Sequence, residues 1–378
     1  VPDPGDPSVA PLHDFMASFT ASDQQISAIG LLDSAGVVRY STNGAGVGVD
    51  VSFRGYVRKT QSARAGETLV SDINLVLEEM GAYDAVAAAG FVKKYGATFR
   101  WGLSPQPWHM IFASLDELRP ADASAKGVSA GVQTAFTWHV DRAVYDTILL
   151  ENARALGAEL VVGAVRSLIE SDGRVVGVQM EDGTEHRARF VVDATGQAGF
   201  CGSLADRVID PHLQNIAAWG YYRGFDFEPE LNGTWDSSRA FIVAHDYGWS
   251  WYFPIRRDLL SVGVVMHRDD LKGERPDTRF AAAIASCPEL SRLLRDAELV
   301  PYAEGAPLVH VIRDYSYLSS SIFRPGFVRV GDAAGFVDPI LSVGCFLGQS
   351  GARMLAYGLR TLLDGDARLD EATVLGAY

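Results

Sequence analysis

The 378-residue sequence predicts an α/β fold with a large antiparallel sheet, on three observations. Residues 328–346 read as a short apolar strand ending in Gly331-Asp332, a tight loop containing Pro339, and a helix from about Gly344 to Leu363. Residues 216–266 form a series of alternating strands rich in aromatics, as a sheet roofing a pocket requires. Between residues 160 and 192, four short strands are separated by Asp172-Gly173 and Asp182-Gly183, dipeptides suited to type I′ hairpin turns.

Composition narrows the function. A net charge of −14 disfavours a nucleic-acid or anionic-membrane surface, which needs a dense basic face. No apolar run approaches the roughly 18 residues of a spanning helix and no signal segment opens the chain, so a cytoplasmic location is expected. Cys201, Cys287 and Cys345 are too scattered for a disulfide framework, and the eight histidines show no HxxxH pairing; no metal is predicted.

In chain order, Gln25 to Thr42 reads as two short strands hinged at Asp33–Gly36. Gly44, Gly46 and Gly48 do not make a phosphate loop, because β-branched alternation follows where a helix would have to start. Asn74 to Met80 has apolar residues at helical spacing, with Gly81 as the stop. Phe136–Asp146 reads as a strand end entering a helix that Gly157 closes. The four strands expected next are 160–165, 167–170, 175–181 and 187–192, the last leading into Asp193-Ala-Thr-Gly196. Trp249 and Trp251, two residues apart on a strand, fall on one sheet face. A helix over 278–295 and a strand over 309–315 precede the opening motif. In that motif, small residues (Gly348, Gly351, Ala352, Ala356) let the helix backbone approach something closely, and unpaired N–H groups at Val343 and Gly344 suit an anion.

Gly331, Asp332, Ala333, Ala334, Phe336, Val337, Asp338, Pro339, Ser342 and Gly344 stand in register with a flavin-binding motif. Over about residues 64–378 the chain thereby resembles the FAD-dependent hydroxylase and halogenase superfamily, and its halogenase branch in particular. Further similar pieces are Gly66-Glu67-Thr68-Leu69, with Thr68 for the usual Ser, and Phe91-x-x-Lys94-x-Gly96-Ala97 with Trp101-Gly102. Gly248-Trp249-Ser-Trp251-Tyr-Phe253-Pro254 has Phe for Ile, and His139-Val-Asp-Arg142 has His where the pattern often has Gln.

The resemblance implies an FAD/NAD(P)-binding hydroxylase-like fold with an antiparallel substrate-domain sheet. It divides the chain into a partial FAD-binding domain (64–211), an antiparallel substrate-binding domain (212–306), and a return with the C-terminal helix (307–378). The implied activity is halide oxidation by a flavin hydroperoxide, followed by lysine-guided electrophilic halogenation of an electron-rich aromatic, free or tethered to a carrier protein. Reduced FAD would come from a flavin reductase, and the halide would be chloride or bromide. Arg142, Gly331, Asp332, Ala333, Ala334, Pro339 and Gly344 would bind the cofactor, with Val343 and Gly344 seating the halide. Lys94, desolvated among Phe91, Tyr95 and Trp101, would guide the electrophile; Lys93 beside it is expected to face solvent. Glu67 would orient flavin or the lysine-bound species, and Trp249 and Trp251 would wall substrate from flavin.

The G-x-G-x-x-G unit of this fold should precede Gly66, and residues 25–58 there loosely resemble a Cache-type sensor segment, giving 1–63 as a tail and Cache-like β segment. The chain is therefore expected to be a fragment or a fusion, with weak FAD affinity. Two alternatives stay open: an FAD-dependent monooxygenase or reductase on the same fold, and a Cache-type ligand-binding sensor.

Overall fold

A computed structural model of the chain describes residues 66–101, 106–112, 136–198, 207–209, 213–225, 239–246, 248–271, 273–363 and 370–376. The Cache-like segment and the place of the expected glycine loop lie outside the described residues. Strand β1 (Gly66–Thr68) leads to helices α1 (Ile73–Glu79) and α2 (Tyr83–Ala88), with Gly81 between them at φ 73°. Strands β2 (Val92–Lys94), β3 (Gly96–Arg100), β4 (Trp108–Ile111) and β5 (Thr137–Asp141) follow. The Asp141 carboxylate accepts the Ala143 N–H and so caps helix α3 (Arg142–Ala155), an ordinary way of satisfying a free helix-start donor.

The next region departs from expectation. Residues 160–163 are not a strand; the ladder is β6 (Val165–Ser171), β7 (Arg174–Met180) and β8 (Glu185–Arg187), then β9 (Val191–Asp193). Asp172 and Gly173 both take positive φ, 51° and 76°, as a type I′ turn demands. At the second turn only Gly183 does, at 88°: the Asp182 carboxylate accepts the Thr184 N–H, and that local bond replaces the mirror-image turn.

After β10 (Arg207–Ile209), the chain builds β11 (Asn215–Arg223), β12 (Arg239–His245), β13 (Gly248–Arg256) and β14 (Leu259–His267). The helix expected over 278–295 is two helices, α4 (Pro276–Ser286) and α5 (Pro288–Leu293). Pro288 forces the break, since the residue before a proline is pushed out of helical conformation; Cys287 sits at φ −95°, ψ 109°. Strands β15 (Glu298–Val300), β16 (Val309–Arg313), β17 (Tyr317–Ser319), β18 (Phe323–Arg324), β19 (Phe327–Arg329) and β20 (Gly335–Phe336) precede α6 (Gly344–Leu363) and α7 (Glu371–Gly376).

The principal sheet runs β15-β11-β14-β13-β12-β3-β4, with β16 also on β11. It is antiparallel except where β12 meets β3, in parallel, so its strands come from residues as far apart as 96 and 313. One face buries Val262, Val264, Leu260, Phe241 and Tyr252 under α4 and α5. The other presents Trp249, Trp219, Phe253 and Ala217 toward the small sheet β1-β5-β2 and the loop before α6. The small sheet stands on an apolar cluster of Leu69, Ile73, Val76, Leu77, Trp138, Val140, Tyr145 and Phe346.

A third unit pairs β9 with β19 in parallel, and both strands end in glycine turns, Gly196 at φ 69° and Gly331 at φ 61°. The small residues on α6 meet the third unit here: Gly348 faces Gly331, where a Cβ built on Gly331 would make ordinary contact with the Gly348 Cα at 3.5 Å. The constraint at 331 is the backbone, since any side chain there would have to take left-handed φ. Gly331→Val is expected to cost about 1–2 kcal/mol of stability, measured as a lowered urea midpoint.

Candidate functional site

Between the principal sheet, β1 and the loop before α6 lies an apolar cavity with some 840 Å³ of empty space, counting its open mouth. Glu67, Trp249, Trp251, Pro339 and Gly344, all singled out in the sequence, line it together. The two tryptophans do share a face of β13, with ring centroids 5.8 Å apart. The Trp251 indole lies across β14 because Gly263 stands opposite: a Cβ there would be 2.0 Å from Trp251 Cζ2. Its N–H donates to Ser261 Oγ at 3.2 Å.

Lys94 is 1% exposed and sits one strand behind Glu67 and Thr68. Its Nζ donates to the Leu69 carbonyl at 2.6 Å and lies 5.5 Å from the Phe112 ring centroid. Trp101, expected among its neighbours, is instead 39% exposed, at the end of β3 where the strand leaves the sheet. Burial brings the Lys94 ammonium down to about 7, and the Glu67 carboxylate opposes that fall. Lys93 points the other way, exposed, with Nζ 4.1 Å over the Phe136 ring.

Glu67 is partly buried, its Oε1 accepting the Thr68 N–H at 3.3 Å and its Oε2 4.0 Å from Arg142 Nη1. Arg142 is buried and bonds Asp146 through Nε and Nη2, at 2.8 and 3.0 Å. It does not line the cavity, and neither does Val343. Gly331, Asp332, Ala333 and Ala334 form a short 3-10 turn on the far side of the α6 start, against α6 and the Gly196 turn. They and the cavity are thus neighbours rather than one pocket.

Several lining residues have no counterpart among the residues read from motifs: Ala217, Ile242, Ile312 and Tyr315. Their only sequence signal is the two-residue alternation that puts Ala217 and Trp219 on one face of β11. Ser342, which also lines the cavity, holds φ 60°, unusual for a residue with a side chain. Asp338, at the head of that loop, accepts the Ile340 N–H at 3.0 Å and Asn215 Nδ2 at 3.3 Å, while burial pushes its carboxyl up to about 6.

With that geometry in view, the comparisons with known proteins are specific. The tryptophan halogenase family model matches residues 116–371, more than half of the chain. The chain belongs to the tryptophan halogenase family. It is 31% identical to a tryptophan 2-halogenase of Chondromyces crocatus over 82% of this chain and 56% of the relative. It is 32% identical to the 1H-pyrrole-2-carbonyl-[peptidyl-carrier protein] chlorinase of Pseudomonas fluorescens, over 76% and 66%. The chain therefore spans between half and two thirds of these curated relatives. Among solved structures, the myxobacterial chondrochloren halogenase CndH, a variant FAD-dependent halogenase, superposes with a TM-score of 0.71 at 29% identity, covering 83% of this chain and 69% of that one. The flavin-dependent brominase Bmp2 gives 0.66 at 27%, over 80% and 71%. The hydroxylase-like fold expected from the motifs is borne out by these neighbours, and neither the sensor nor the monooxygenase alternative is favoured. No helix among the described residues is long and apolar enough to cross a membrane.

Two outcomes test this site. Gly263→Ala is expected to push the Trp251 indole aside, read as a red-shifted tryptophan emission and easier acrylamide quenching; unchanged emission would show the wall does not depend on the glycine. Lys94 has its folded proton affinity below its unfolded value of 10.5, so between about pH 7 and 10.5 the unfolded chain binds more protons and stability rises with pH. Over pH 7 to 9, wild type is expected to gain urea stability relative to Lys94→Met, and parallel profiles would place the lysine in water.

Proposed function

We propose that the chain carries the halogenating centre of a flavin-dependent halogenase. It would take reduced FAD from a separate flavin reductase, with chloride or bromide, and act on an electron-rich aromatic such as a phenol or pyrrole, free or on a carrier protein. The observation that carries this reading is the convergence of Glu67, Trp249, Trp251 and the α6 start on one apolar cavity, with a buried, weakly basic Lys94 one strand away. The names of relatives acting on tryptophan and on carrier-bound pyrrole support the substrate class.

The cofactor cradle suits the group. Ligands of such folds lie beyond the carboxyl ends of parallel strands, where β9 and β19 end together in the Gly196 and Gly331 turns. Gly331, Asp332, Ala333, Ala334 and Pro339 would hold FAD there, with Arg142 and Gly344 beside them. The reduced flavin with dioxygen supplies the oxidising equivalent that turns halide into hypohalous acid. The backbone N–H groups of Val343 and Gly344, at the start of a 20-residue helix, suit the halide. Trp249 and Trp251 keep the organic ring from the flavin, so the oxidant must cross the cavity.

Lys94, buried one strand behind the cavity wall, would receive it beyond the wall. With an affinity near 7, the side chain holds comparable amounts of amine and ammonium at neutral pH, able to bind the halogen or to donate a proton. In the overall step the ring gains the halogen and loses a proton, while the hypohalous oxygen leaves as water. Glu67, near both Lys94 and Arg142, orients the lysine-bound species.

Incubation with FAD, a flavin reductase, NADH, bromide and an electron-rich phenol is expected to give a product with the bromine isotope doublet by mass spectrometry. Lys94→Ala should abolish it while NADH-driven flavin oxidation continues. An oxygenated product formed without halide would assign the chain to monooxygenation instead.

A further inference from the structure

Thr68, on the wall of the cavity, and His139, behind the lining residues Thr68 and Phe253, carry buried polar atoms with no hydrogen bond among the described residues: Thr68 Oγ1, His139 Nδ1 and His139 Nε2. Thr68 is 4% exposed and His139 fully buried. The two face each other directly across β1 and β5, which sets their Cβ atoms about 5 Å apart on one face. Thr68 lines the cavity. The His139 ring lies nearly flat on Phe253, another lining residue, with centroids 5.3 Å apart and planes 14° apart. Buried polar atoms are ordinarily paired, and leaving them unpaired costs free energy comparable with a lost hydrogen bond. Thr68, His139 and Phe253 are also three places where the motifs are altered, Thr for Ser, His for Gln and Phe for Ile, and the fold brings all three into one cluster.

We propose that Thr68 and His139 form a polar subsite that receives the neutral hydroxyl or ring N–H of an aromatic ligand, seating its ring against Phe253 and the tryptophans. This rests on reading the cavity as the substrate site. Burial and the nearby Lys94 hold the imidazole well below its ordinary proton affinity, so the ring stays neutral and offers one donor and one acceptor. Thr68 adds a hydroxyl that serves either way. A neutral O–H or N–H satisfies this pair, whereas the Glu67 carboxylate on the same wall disfavours an anionic group.

The test compares phenol with toluene, rings of one size that differ in the hydroxyl, by quenching of tryptophan fluorescence on the whole chain. The readout is the ratio of the two dissociation constants, which cancels the apolar burial they share. Thr68→Val, close in shape, and His139→Leu are each expected to lower the phenol preference about tenfold. Thr68→Ser and His139→Gln should keep it, which separates hydrogen bonding from a folding defect. A phenol preference equal in wild type, Thr68→Val and His139→Leu would overturn the proposal and assign the polar corner to internal water. Failure of both rings to bind would overturn it as well. If bromination fails yet the preference falls in Thr68→Val, the subsite stands and the halogenase reading is what is lost. Successful bromination with an unmoved preference removes the subsite alone.

Discussion

The hydrogen bond from Lys94 Nζ to the Leu69 carbonyl is the constraint around which the site is arranged. A buried ammonium is costly, and a single carbonyl cannot replace its hydration. The fold compensates in two ways: it places the Glu67 carboxylate near enough to oppose the loss of the proton, and it lets the affinity fall until either state is accessible. Both depend on keeping β1 and β2 on opposite sides of β5. Asn74 fixes that arrangement from below, its Nδ2 donating to the Phe136 carbonyl and its Oδ1 accepting from Thr137 Oγ1. Thr137 is the residue paired with Lys94 across β2 and β5, so the same contact that anchors the strand also sets the height of the lysine.

Helix α6 joins this lysine layer to the Gly331 turn. Its start opens on the cavity at Gly344, and one turn later Gly348 rests on Gly331. Farther along, Gln349 donates to the Tyr145 hydroxyl, and Arg353 and Tyr357 reach Glu79 on α1. A shift of the helix would therefore move its own N-terminal N–H groups, the Gly331 turn and the base of the small sheet together. The positive φ of Ser342 is the local cost of turning the chain sharply into that helix, and the Ser342 N–H to Pro339 carbonyl bond helps to hold it.

Much of this was legible in local chemistry. The Gly331 turn, the hairpin at Asp172-Gly173 and the helix after Asp141 each follow from one or two residues whose conformational needs are narrow. The same logic failed where a side chain offered a competing bond, as at Asp182, or where a proline sat inside a periodic apolar pattern, as at Pro288. The cavity was only half legible. Motifs pointed to Glu67, Trp249, Trp251, Pro339 and Gly344, but Ala217, Ile312 and Tyr315 meet them only through tertiary folding. Trp101 illustrates the opposite error: nearness to Lys94 in sequence suggested contact, yet the strand that begins at Gly96 carries it away.

The parallel pairing of β12 with β3 explains how an antiparallel sheet can serve a lysine on a different sheet. Only Tyr95 separates Lys94 from β3, so the chain passes from the small sheet to the principal one within a single residue. The register of β3 on β12 sets Ala97 beside Ala240, and, two and four residues on, β12 pairs Ile242 with Trp251 and Ala244 with Trp249 of β13. Ala240, a small residue, lines the cavity and leaves room for it. The distance between the lysine and the tryptophan wall is thus set by backbone pairing rather than by flexible side chains.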